Sequence, residues 1–87
     1  AEFAAHLAAK AAESARRVGE RVRSLRKARG LSAKEVAERA GLAQQTMTRI
    51  ELGQHDVAFT TLEKILAAMG YSLQALVEVT QPVVPAP

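Results

Sequence analysis

Cysteine is absent from the chain, which excludes disulfides and thiolate metal sites and suits a reducing, cytoplasmic setting. Aromatic residues are scarce: Phe3, Phe59, Tyr71 and no tryptophan, too few for a platform on which single-stranded bases stack. No apolar run approaches the ~18 residues of a membrane span. A membrane-surface helix over residues 2–29 is also disfavoured, because its apolar face is mostly alanine. The Ala-rich beginning carries Glu2, His6, Lys10 and Glu13, which a signal peptide would not. Residue 1 is Ala rather than Met and is expected to mark a fragment boundary. Neither His6 nor His55 has a second ligand at helical spacing, so no metal is expected. Ser14, Ser24 and Ser32 have no base beside them, paired acids are lacking, and there is no Gly-rich phosphate loop. Neither catalysis nor a cofactor is expected.

Eighty-seven residues make one small domain, which buries roughly 60% of its unfolded surface. The formal net charge of +3 is unevenly spread. Between residues 16 and 30, Arg16, Arg17, Arg21, Arg23, Arg26, Lys27 and Arg29 face a single Glu20, giving +6 there and −3 over the remainder. Such a segment suits either a polyanion or a solvated helix face.

Helical periodicity dominates and no segment reads as a strand. Residues 2–17 form an Ala-rich helix with Phe3, Leu7 and Ala11 in a narrow stripe suited to self-association. Val18, Val22 and Leu25 continue that spacing, so the segment can run into a helix over 18–28, with Gly19 as a weak point. Ser32 followed by Glu35 makes a capping box for a helix that reaches Ala40, burying Val36, Ala37 and Ala40. Gly41 allows a sharp turn and Leu42 plugs it. A helix follows over 44–52 with Met47 and Ile50 inward, ended by Gly53. Residues 54–58 read as a loop. The next helix covers 59–69, with Leu62, Ile65, Leu66 and Met69 inward. A short one opens after Ser72, buries Leu73 and Leu76 and ends near Glu78. The tail 79–87, with Pro82, Pro85 and Pro87, is expected to be non-helical and mobile. The expected divisions are thus 1–17, 18–78 and 79–87.

A capped helix, a glycine turn and a second short helix make a pair suited to reading duplex DNA. The first braces the second, which projects polar tips into the major groove. That groove admits one helix and presents a distinct pattern for each base pair. Gln44, Gln45, Thr48 and Arg49 fall on one face of the second helix, opposite Met47 and Ile50.

Residues 18–77 resemble the Cro/phage-repressor helix-turn-helix family, also called the xenobiotic-response-element family. The resemblance rests on Val18 to Ser32, on Glu35-Val-Ala-Glu-Arg-Ala-Gly41, on Thr48-Arg-Ile-Glu-Leu-Gly53, and on Leu62-Glu-Lys-Ile-Leu-Ala-Ala-Met-Gly-Tyr-Ser-Leu73. It implies an all-α, five-helix repressor-like bundle, here with an extra N-terminal Ala-rich helix and a Pro-rich tail. It implies base reading by Gln44, Gln45, Thr46 and Arg49, and phosphate contacts at Ser32 and the backbone amides of Gly53 and Gln54. Thr48, on the same polar face, joins the candidate base readers, and Lys34, as a substitute charge, and His55 join the candidate phosphate contacts. It also implies a structural ion pair between Arg26 and Glu51. Double-stranded DNA is then the partner, the chain a homodimeric repressor, and Leu73, Leu76 and Val77 a candidate dimer surface. The alternative is an antitoxin that autoregulates through the same motif and holds a toxin or other protein with a terminal extension. Two positions depart from the family pattern. Ala33 stands where a phosphate-contacting Gln is usual, and the loop Gln54-His55-Asp56-Val57-Ala58 lacks a strong cation. Fewer phosphate contacts are therefore expected unless N-terminal arginines compensate.

Overall fold

Each of the five helices begins or ends where a serine or glycine interrupts the apolar spacing. The computed structural model describes residues 2–80, and their side chains except those of 2–4, 6–8 and 77–80. Its helices are α1 (Glu2–Ala28), α2 (Ala33–Ala40), α3 (Gln44–Glu51), α4 (Phe59–Ala68) and α5 (Leu73–Thr80). No strand occurs among the described residues, and none of their helices is long and apolar enough to cross a membrane.

The core is one cluster fed by every helix. Val22 and Leu25 come from α1, Val36 and Ala37 from α2, and Met47 and Ile50 from α3. Leu62, Ile65, Leu66 and Met69 come from α4 and its cap, and Leu76 from α5. α2 packs on α3 and α4, while α1 lies across α3 on one side and α5 on the other. Arg21 of α1 reaches the Ala75 carbonyl of α5 at 3.4 Å.

Three expectations need correction. The N-terminal segment and the first domain helix are one helix, unbroken through residues 17 and 18, so no separate extra helix exists. Gly19 is not its weak point but the site of its closest packing. A Cβ there would collide with the carbonyl oxygen of Ile50 and lie 2.7 Å from that of Glu51. Only a residue with no side chain lets α1 meet the end of α3 so closely. Third, α5 continues through Val79 to Thr80, so residues assigned to the tail are helical. The rest of the tail, with its prolines, lies outside the described residues. So do the side chains of Phe3, Leu7 and Val77, while Ala11 is exposed. Leu76, offered as part of a dimer surface, is only 6% exposed and belongs to the chain's own core.

One charged pair is built into this packing. Arg26 Nε donates to Glu51 Oε2 at 2.7 Å and Nη2 to Oε1 at 2.9 Å, while Nη1 donates to the Leu31 carbonyl at 2.9 Å. The two side chains are 13% and 7% exposed. The hydrogen bonding to Glu51 raises the guanidinium above its ordinary pKa, against the opposing effect of burial. The fork therefore stays charged and ties α1, the start of α2 and the end of α3 together.

Two outcomes follow. Gly19→Ala would gain about 1 kcal/mol of helix propensity on an open helix. Here overpacking against rigid backbone is expected to lower stability by about 1–3 kcal/mol. A fall in the urea midpoint is the reading expected, and a rise would contradict the close contact. Glu51→Ala strands a buried guanidinium and is expected to cost about 3–5 kcal/mol. The double change Arg26→Met with Glu51→Leu should unfold at a urea concentration much closer to wild type. Equal losses in the single and double variants would show that packing, not charge, holds this junction.

Candidate nucleic-acid interface

The turn between α2 and α3 decides which face of α3 meets solvent. Ser32 Oγ accepts from the Glu35 amide at 3.0 Å and Glu35 Oε1 accepts from the Ser32 amide at 3.2 Å, closing both ends of the box. Hydrogen bonding to the Ser32 backbone, then to its hydroxyl, holds the Glu35 carboxyl below the usual carboxylate range, and the nearby Arg39 charge adds to this. At the other end Gly41 takes φ 72°, a left-handed conformation that glycine adopts without strain. Its successor Leu42 donates to the Ala37 carbonyl at 2.8 Å and packs on the core.

The chain thereby enters α3 with Met47 and Ile50 at 0% and 1% exposure. The remaining positions of that helix must then point away. Gln44, Gln45, Thr48 and Arg49 do so, and with Leu52 and Gln54 they line one shallow depression of about 470 Å³. Thr46 is half-buried and lies outside this group. Thr48 Oγ1 donates to the Gln44 carbonyl at 3.1 Å. Its proton is thus engaged, and toward a ligand it acts as an acceptor.

Flanking this face, Ser32, Lys34, Gln54 and His55 are exposed. The Ser32 hydroxyl accepts in the cap and retains its own proton for a further acceptor. The backbone amides of Gly53 and Gln54 meet a competing use. They donate to the Ile50 carbonyl at 3.1 Å and the Arg49 carbonyl at 2.9 Å, closing the end of α3. At Gln54 the group with no acceptor among the described residues is the side-chain amide.

Two residues that the sequence reading did not assign border the same surface. Leu52 is 53% exposed, an unusual setting for a large apolar side chain beside polar tips. Its spacing of three and four from Arg49 and Thr48 was the available signal. Arg23 lies on α1 and lines a second depression with Arg26, Ala33, Thr48, Glu51 and Leu52. Only the tertiary packing of α1 on α3 reveals that neighbourhood.

Comparison with known proteins agrees with this geometry. A helix-turn-helix family model matches residues 22–76. The immunity repressor protein of Bacillus phage phi105 is 33% identical over 60 residues, which cover 69% of this chain and 42% of that protein. The chain thus aligns with less than half the length of that relative. Among solved structures, the restriction-modification controller protein C.AhdI from Aeromonas hydrophila superposes with a TM-score of 0.69 at 31% identity, over 71% of this chain and 94% of that one. The clp gene regulator ClgR from C. glutamicum does so with a TM-score of 0.71 at 25% identity, over 76% and 86% of the two chains. These relatives are named as repressors, controllers and regulators, and lend no support to the antitoxin alternative. With its fold, its glycine-turned helix pair and more than half its length matched, the chain belongs to the Cro-like helix-turn-helix family.

Proposed function

We infer that the chain is a sequence-specific, double-stranded-DNA-binding transcriptional regulator, acting as a repressor, that reads the major groove with α3. The observation that carries this is the sidedness of α3. Two fully buried apolar residues fix its inner face, so the Gln44, Gln45 and Arg49 tips share one exposed outer surface. Two amides and a guanidinium are the groups that pair bidentately with adenine and guanine edges. The immunity repressor and the regulators resembling this chain support the same reading.

In this assignment Gln44, Gln45 and Arg49 read bases, Thr48 accepts from a base amine, and Thr46 makes a peripheral contact. Ser32, Lys34, His55 and the Gln54 side chain meet phosphates, with Gly53 shaping the turn. Residues 18–78 form the DNA-binding unit and 1–17 an extension of its first helix. Two copies would set their α3 helices about 34 Å apart on half-sites related by two-fold symmetry. Leu52 offers an apolar surface for a thymine methyl, the one nonpolar feature of the major-groove edges.

Selection of bound duplexes from a random pool should enrich a pseudo-palindrome. An enriched site without two-fold symmetry would remove the dimer from the proposal. On the enriched site, Gln44→Ala should flatten preference at one base pair per half-site, about 1–3 kcal/mol of discrimination. Arg21→Ala, on the far side of α1, should leave preference intact. Equal losses by both variants on every sequence would overturn the base-reading roles. Replacing single thymines by deoxyuridine should weaken wild type at one position per half-site and leave Leu52→Ala indifferent there. If wild type ignores every such replacement, Leu52 does not read a methyl group.

A further inference from the structure

The seven cations of residues 16–30 are not equivalent in the folded chain. Arg17 pairs with Glu13 at 2.7 Å, and Arg21 hydrogen-bonds the Ala75 carbonyl. Arg26 is locked on Glu51, and Arg29 lies 4.3 Å from the centre of the Tyr71 ring. Arg16, Arg23 and Lys27 have no partner among the described residues and are exposed. Arg16 and Arg23 are seven residues apart, so they share one side of α1 and lie roughly 10 Å apart along its axis.

That side is the one next to the reading helix. Gly19, between them, touches the end of α3, and the Arg16 backbone lies against Gly53, the residue that turns the chain out of α3. Arg23 borders Thr48, Leu52 and Ala33. The small side chain of Ala33 leaves open the depression of about 230 Å³ that Arg23 lines. The stripe also carries Glu20, exposed and without an ion-pair partner among the described residues, so Arg16, Arg23 and Glu20 together carry +1 rather than +2.

We propose that Arg23 and Arg16 form a second phosphate-binding rail on α1, gripping the strand that borders the groove occupied by α3. This rests on the major-groove reading of α3 proposed above. A rail of this kind supplies the cationic contacts that Ala33 and the loop 54–58 lack. Guanidinium groups suit it because each can fork onto a phosphate. Such contacts position the protein without reading sequence.

The test is the salt dependence of binding by the full chain, measured by fluorescence anisotropy on the enriched duplex and on a scrambled one. Each phosphate contact removed should reduce the slope of log Kobs against log[salt] by about 0.9. Arg23→Ala and Arg16→Ala are each expected to show that reduction, with the same fold-loss on both duplexes and with wild-type melting temperatures. Arg23→Lys should restore most of the slope, and Arg17→Ala, on the opposite side of α1, should keep all of it. A wild-type slope in either alanine variant, or a loss confined to one duplex, would overturn the rail. The base-reading proposal fails by a different sign: wild type that binds enriched and scrambled duplexes equally, whatever its slope.

Discussion

The backbone contact between α1 and the last turn of α3 is the constraint on which the rest of the molecule depends. Helix axes ordinarily stay 8–10 Å apart because side chains intervene. At Gly19 none does, and the carbonyls of Ile50 and Glu51 lie against the bare α1 backbone. The forked Arg26–Glu51 pair closes the same junction a few residues on. Together they fix the height and rotation of α3, and therefore the direction in which Gln44, Gln45 and Arg49 project.

A domain of this size has little stability to spare, so a junction that holds three helices with one arginine is an economical arrangement. Its cost is brittleness, since a buried guanidinium without its carboxylate is worse than no ion pair at all. The capping box at Ser32 and the left-handed Gly41 complete the frame from the other side. They deliver the chain into α3 with Met47 and Ile50 already turned toward the core. Precision in a reading helix comes from such supports rather than from the polar tips themselves.

The same packing divides the basic segment into two classes. Cations that meet α5, Tyr71 or Glu51 are engaged by the fold, whereas Arg16 and Arg23, beside α3 but without a partner among the described residues, remain available to a polyanion. Net charge and linear clustering do not distinguish the two. The side of α1 on which each residue falls, and what lies opposite, does. A positive stretch in a helical protein is thus as much a structural resource as a binding surface, and its two uses can alternate along one helix.

Much was legible in the residues alone, because local physics dictates it. Ser32 and Glu35 at capping spacing, Gly41 and Gly53 after apolar runs, and the apolar periods of α2, α3 and α4 specify helices, turns and the inner face of α3. The outer tips follow by subtraction. What the residues could not disclose depends on contacts between distant segments. The spacing of Val18, Val22 and Leu25 allows α1 to continue through Gly19, but why a glycine stands there is understood only once α3 lies upon it. The capture of the Gly53 and Gln54 amides by α3, and the pairing of some arginines but not Arg16 and Arg23 among the described residues, are likewise tertiary facts. Short-range patterns determine which face of each helix is apolar. Which neighbour that face meets, and which polar groups are left over for a partner, is decided only when the helices pack.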